Sequence, residues 1–182
     1  VIYLDFIELP RYEGYDFALL ITCGLSRFSR LFPCSKKLYS AGLLKMVMEE
    51  WVQTYGLPKV IHSDQDIRIK GANCWYRKVF EGLGVDIQLG VPYTPQHNGL
   101  CERQNRAFEG IMRLLMLNEK PKDWVKLVPL AVHIMNNQVS KRTGFTPCEL
   151  FHGRTDSGLN FGAPDDSSPA ICDWVKKQQD NY

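Results

Sequence analysis

The sequence predicts an α/β domain in which three strands come first and helices then alternate with further strands. Three observations carry this. Residues 1–33 hold three strongly apolar stretches joined by short links rich in turn formers. From residue 40 the spacing of apolar residues changes to that of a helix. Two more short apolar stretches, residues 59–63 and 86–91, each follow a helical segment, so the order reads β-β-β-α-β-α-β-α-α.

Residues 1–9 are almost wholly apolar, as in a strand buried on both faces, yet Asp5 stands in the middle. A buried carboxylate without a partner would protonate, so Asp5 needs a cation, a set of donors or a metal. Residues 10–14 supply a turn, residues 17–23 a second strand and residues 28–33 a third, an antiparallel meander. Leu44, Val47, Met48, Trp51, Val52 and Tyr55 then form one helical stripe, with Ser40 as N-cap and Gly56 before Pro58 as the stop. The strand at residues 59–63 ends at Asp64, and a carboxylate opening into a loop at the carboxyl end of a strand is where α/β sheets place functional groups. His62, two residues earlier, could be a ligand but reads more readily as a satisfied strand histidine. A helix from about residue 72 to Gly84 is expected to bury Trp75, Val79, Phe80 and Leu83.

Composition narrows the functional classes. The chain has 182 residues, 45% hydrophobic and 23% charged, which suits one globular domain with a continuous core. No apolar run approaches the length of a membrane span. It starts inside an apolar stretch without Met and reads as a piece of a longer polypeptide. Its six cysteines are scattered with no CxxC, and the four histidines are not spaced with them as ligands, so reduced thiols are expected and no zinc site. A net charge of +2 neither demands nor excludes nucleic acid.

The chain is organised around residues 91–113, VPYTPQHNGLCERQNRAFEGIMR. A segment rich in Pro, Gly and amides leads into a helix whose apolar face is Phe108, Ile111, Met112 and Leu115 and whose polar face is Glu102, Arg106, Glu109 and Arg113. By itself that is a solvated face with ordinary charge pairs. Taken with Asp5 and Asp64, however, Glu102 makes a third carboxylate that the sheet could gather at one edge. Three converging carboxylates repel unless divalent cations relieve them. Two such ions about 3.5–4 Å apart activate an attacking oxygen and stabilise the leaving one in phosphodiester chemistry.

The ordered set Asp5, Asp64, Glu102 resembles the D,D-35-E triad of the integrase catalytic core of retroviruses and LTR retrotransposons. The flanking segments are similar too: VIHSDQD at the second aspartate, PYTPQHNGLCERQNR at the glutamate, and WVKLVPLAVHIMNNQVSKRTGFTPCELFHGR downstream, the last as in the Ty3/gypsy-like group. The resemblance spans residues 1–154. It implies an RNase H-like fold, a mixed five-stranded sheet flanked by helices. It also implies a metal-dependent polynucleotidyl transferase that processes the 3′ ends of element DNA and joins them to target DNA. The triad would hold two Mg²⁺ or Mn²⁺ ions, in a homo-oligomer working in the nucleus. Thirty-seven residues rather than thirty-five lie between Asp64 and Glu102. The excess is expected within residues 67–74, where a longer loop costs little.

For DNA contacts the expected residues are Gln96, His97, Asn98 and Gly99, in a mobile loop before Glu102, and Asn105, Arg106 and Arg113 on the helix; Arg103, Lys141 and Arg142 are weaker candidates. Asp123 is expected to cap a further amphipathic helix carrying Trp124, Leu127, Val128, Ala131, Ile134 and Met135, whose counterpart in the family joins a dimer interface. Residues 155–182 read as a linker and a short helix opening at Ser168 and Pro169. The zinc-binding and C-terminal DNA-binding domains of a whole integrase are not in this stretch. Two other functions fit less well: a domesticated, non-catalytic DNA- or protein-binding descendant, which loss of a triad residue would favour, and a different RNase H-like nuclease or transposase, against which TPQHNG and TGFTPCELFHGR argue.

Overall fold

The computed structural model describes residues 1–64, 74–90, 95–116 and 123–153, with the backbone alone for 95–98. The expected linker and short helix of residues 155–182 and the proposed insertion at residues 67–73 lie outside the described residues. Two compact units are present: residues 1–24 with 31–106, and residues 25–30 with 107 onward.

The first unit is built on β1 (Ile2–Tyr12), β2 (Tyr15–Cys23), β3 (Ser29–Cys34, of which the last four residues belong here), β4 (Val60–Ser63) and β5 (Asp86–Leu89). They form one five-stranded mixed sheet in the order β3-β2-β1-β4-β5. β1 is central: it pairs antiparallel with β2 and parallel with β4, which in turn pairs parallel with β5. The β1–β2 turn is tighter than the expected 10–14. Only Glu13 and Gly14 lie outside the strands, both with positive φ (48° and 90°), the backbone that a two-residue hairpin demands. Ile2, Leu4, Leu19, Ile21 and Ile61 are buried, each contributing roughly 1.5–3 kcal/mol relative to exposure.

The first helical run is α1 (Ser40–Val47), a π-helical turn (Met48–Val52) and α2 (Gln53–Tyr55), ended by Gly56 at φ 80°. Leu43, Val47 and Trp51 carry its buried face, while Leu44 and Met48 are half-buried. Ser40 does not cap this helix. Tyr39 holds the cap position without a side-chain bond, and Ser40 Oγ instead accepts from the Tyr76 N–H at 3.1 Å and lies 2.9 Å from Cys74 Sγ. It thereby serves the first turn of α3 (Trp75–Gly82), a backbone N–H that α3 cannot satisfy internally.

Helix α3 corrects the expected buried face. Trp75 is 66% exposed and Leu83 48% exposed, while Tyr76 and Phe80 are fully buried with their rings 4.9 Å apart. The apolar stripe is offset by one residue, because Tyr76 and Phe80 at i,i+4 pack inward and Trp75 cannot share their face.

Helix α4 (Pro95–Leu115) runs through both units, with residues up to Arg106 in the first. In the second unit Phe108, Ile111 and Met112 are buried as the sequence predicts. So are Trp124, Val128, Ala131 and Met135 of α5 (Trp124–Asn137), while Leu127 and Ile134 are half-buried. Asp123 stands at the cap position, but its side chain makes no capping bond and reaches Lys126 at 3.6 Å. Asn136 donates to the Ser29 carbonyl and accepts from its N–H, both at 2.8 Å, in a buried setting. α6 (Pro147–His152) explains TGFTPCELFHG: Thr146 and Glu149 form a capping box, Pro147 sits at the first helical position and Gly153 closes the helix in the left-handed conformation.

Among the described residues no helix is long and apolar enough to cross a membrane. The five described cysteines are free thiols.

Candidate active site

β1 and β4 run side by side with Ile2 opposite Ile61, Tyr3 opposite His62 and Leu4 opposite Ser63. Asp5 is the next residue of β1, and Asp64 directly follows the last residue of β4. Parallel neighbours lie about 4.8 Å apart, so the register sets these two carboxylates next to each other at the carboxyl end of β4. Asp5 is half-buried, and its charge is met by donors: the Phe6 N–H at 2.8 Å on Oδ1 and the Asn105 amide at 2.7 Å on Oδ2. The need for donors that the sequence imposes on Asp5 is thus filled in part by a residue one hundred positions away. Asp64 is exposed.

Asn105 lies on α4 one turn beyond Glu102, and residues three apart on a helix share a face. The same hydrogen bond therefore ties the helical turn that follows Glu102 to the central strand. Glu102 itself does not close on the aspartates. Its side chain is 60% exposed and pairs with Arg106 at 3.7 Å, an exposed pair worth little in stability. Among the described residues no three Asp, Glu, His or Cys side chains converge closely enough to hold an ion together. The register sets the positions of the two aspartates next to each other, while Glu102 pairs with Arg106.

The donor set nevertheless fits a hard divalent cation. Mg²⁺ takes oxygen ligands, one or two carboxylates at a time, and keeps its other positions for water and phosphate oxygens. Asp5 and Asp64 offer carboxylate oxygens side by side. The buried Asn105 Oδ1, which has no partner among the described residues, adds a carbonyl-type oxygen beside them.

The expected loop at Gln96, His97, Asn98 and Gly99 is not a loop. These residues form the first turns of α4, which opens at Pro95, a residue suited to a helix start because the missing N–H has no intrahelical partner there. The side chains of Gln96, His97 and Asn98 lie outside the description. The Gly99 carbonyl accepts from Arg103 Nε at 2.9 Å. Arg106 is exposed and turned to Glu102; Arg113 is exposed in the second unit. Sequence reasoning assigned Asn105 to DNA and missed its bond to Asp5. The pairing of a central-strand aspartate with an amide on the glutamate's helix was the available signal.

This geometry defines the class of fold: a five-stranded mixed sheet flanked by helices in the arrangement of retroviral integrase catalytic cores, which is RNase H-like. The chain matches the simian T-cell lymphotropic virus intasome, solved in complex with PP2A regulatory subunit B56 gamma, at a TM-score of 0.71 and 15% identity, covering 92% of this chain and 58% of that one. It matches the HTLV-2 integrase catalytic core domain, solved with magnesium in a trimeric form, at 0.66 and 15% identity, over 83% of this chain and 95% of that one. The BIV integrase catalytic core matches at 0.62 and 17% identity, over 82% and 91%.

The relatives in sequence are retroviral polyproteins. The chain is 29% identical over 164 residues to the Pro-Pol polyprotein of simian foamy virus type 3 (strain LK3), and 32% identical over 155 residues to the Gag-Pol polyprotein of baboon endogenous virus (strain M7). These matches take in 90% and 82% of this chain but only 14% and 8% of the polyproteins. No protein-family model matches. The resemblance drawn from the three motifs therefore holds: the chain is a homologue of retroviral Pol polyproteins with the fold of the integrase catalytic core.

Proposed function

We propose that the chain is a divalent-metal-dependent polynucleotidyl transferase of the DDE integrase type, which trims the 3′ ends of element DNA and joins them to target DNA. The observation that carries this is the register of β1 and β4, in which Asp5 and Asp64 directly follow the paired Leu4 and Ser63, with Asn105 anchoring the helix of Glu102 to Asp5. Asp5, Asp64 and Glu102 are the ligands and catalytic residues of this reading. When bound, two Mg²⁺ or Mn²⁺ ions would supply charge stabilisation for in-line displacement at phosphorus, in which an oxygen nucleophile forms one P–O bond as the 3′-oxygen leaves from the other. Asn105 orients Asp5 for that role, and Glu102, here paired with Arg106, would be the third residue to hold the ions.

DNA phosphates would meet the first turns of α4 at Gln96, His97, Asn98 and Gly99, where backbone N–H groups and the helix dipole favour anions, with Asn105, Arg106 and Arg113 further along. The proposed catalytic residues all lie within residues 1–154. Since integrase-like neighbours are recorded as a trimer and as an intasome, the working form proposed is a homo-oligomer, acting in the nucleus where target DNA lies. With a net charge of only +2, affinity for DNA is expected to fall steeply with salt.

The test is incubation of the chain with a branched oligonucleotide at low salt. Mn²⁺ or Mg²⁺ should release the resolved strands and a chelator should stop the reaction. A folded preparation that leaves the branched DNA intact in both metals would overturn the proposal.

A further inference from the structure

One feature of the sheet face beside the two aspartates serves no purpose in the chemistry described so far. Side chains two apart on a strand share a face, so Tyr3 and Asp5 of β1 lie on one side of the sheet, and His62 of β4 lies on the side to which the position of Asp64 belongs. Tyr3 and His62 are direct cross-strand partners. Their rings are stacked, with centroids 4.7 Å apart and planes within 19° of parallel. That separation matches the spacing of neighbouring strands, about 4.8 Å, so the stacked rings fill the interval between β1 and β4 without forcing it wider.

The stack is backed on its other side. A Cβ at Gly24 would come within 2.9 Å of Tyr3 Cε2, closer than real contacts allow, so the glycine backbone sits against the tyrosine ring. Gly24 is itself fixed by its N–H bond to the Val1 carbonyl at 3.0 Å. Gly24, Tyr3 and His62 thus form a row across the ends of three strands, one step behind the carboxylate pair. Ring pairs of this kind add little to a fold already held by Ile2, Leu4 and Ile61. Their larger effect is on geometry, because they fix how far apart and in what register β1 and β4 run just before Asp5 and Asp64.

We propose that Tyr3 and His62 are positioning residues for Asp5 and Asp64. The ring stack, wedged against Gly24, sets the spacing at which the two carboxylates receive a divalent cation. This rests on the metal-dependent reading of the site given above. It requires the His62 ring as a planar surface and does not require its nitrogens.

The experiment is a Mn²⁺ titration of the 182-residue chain, followed by the resonance of the free ion, for wild type, His62→Ala and His62→Phe, with thermal melting recorded in parallel. His62→Ala is expected to weaken Mn²⁺ binding by about tenfold, the lower end of what supporting residues around a metal contribute. Its melting temperature should stay near that of wild type. His62→Phe, which keeps a stacking ring, should restore binding to the wild-type value. If His62→Ala fails to fold, Gly24→Ala carries the test, since its added methyl pushes the Tyr3 ring off its seat and should weaken binding in the same way. Wild-type affinity in His62→Ala would overturn the proposal, as would a His62→Phe variant as weak as His62→Ala, which would place the role in the ring nitrogens. Failure of the folded wild type to bind Mn²⁺ at all is a separate result: it removes the metal-dependent reading and this inference with it.

Discussion

The side-chain amide of Asn105 donates a 2.7 Å hydrogen bond to Oδ2 of Asp5, tying the helix that carries Glu102 to the central strand of the sheet. The side chain of a half-buried acidic residue on the central strand is thereby oriented. Asn105→Ala should cut metal-dependent strand transfer by about tenfold or more, as loss of a residue that orients a metal ligand does. Asn105→Asp should cut it further, because a second carboxylate beside Asp5 repels it. Single-turnover rates on branched DNA as a function of Mn²⁺ concentration check both. An Asn105→Ala variant with unchanged metal dependence would mean that the bond does not serve the site.

The contact between Asn136 and Ser29 should matter for stability and not for chemistry. Asn136→Ala removes the partner of a buried N–H and a buried carbonyl at once and should cost about 2–3 kcal/mol. A lower urea midpoint at constant slope is the expected result.

Thr146→Ala should cost about 1 kcal/mol, the usual worth of a capping side chain. Because Thr146 and Glu149 satisfy each other's backbone N–H groups, Thr146→Ala and Glu149→Ala together should cost less than the sum of the single changes. A double-mutant cycle in urea measures this directly.

Tyr76 gives the pH prediction. Burial pushes its hydroxyl well above the ordinary value of 10.0, with Cys74 adding to the rise, and the oxygen has no partner among the described residues. The folded chain keeps this proton where the unfolded chain gives it up. The associated stability is therefore fully present below pH 10 and is lost as the pH climbs beyond it. Tyr76→Phe should be more stable than wild type by about 1 kcal/mol at neutral pH, since a buried unpartnered hydroxyl is removed. Its advantage should widen above pH 10. Urea unfolding on either side of that pH decides it, and a destabilised Tyr76→Phe would show that the hydroxyl is satisfied.

Most of the fold was legible because each strand and helix announces itself by period. The succession of strands and helices along the chain and the buried faces of α4 and α5 follow from apolar spacing and from Gly and Pro at the ends. The errors have local physical causes. Trp75 was expected inside because it is large and apolar, yet Tyr76 and Phe80 claim the inner face of α3 and leave it exposed. Ser40 has the chemistry of an N-cap, but sequence cannot reveal that the helix it serves begins thirty-five residues later, at Trp75. Residues 96–99 look like a loop because amides and glycine are poor helix formers, and Pro95 turns them into a helix start. The three carboxylates were legible as a pattern. The stack of Tyr3 on His62 was not, since it depends on strand register.

The measurement that bears most directly on the metal-dependent reading is the activity of Asp64→Asn on branched DNA in Mn²⁺, beside wild type and with melting curves for both. The substitution keeps the side-chain volume and removes the charge that would hold the metal. Strand resolution by wild type and its complete loss in a normally folded Asp64→Asn is the predicted result. Resolution by Asp64→Asn at the wild-type rate, in a preparation free of contaminating nuclease, would contradict the assignment of this site.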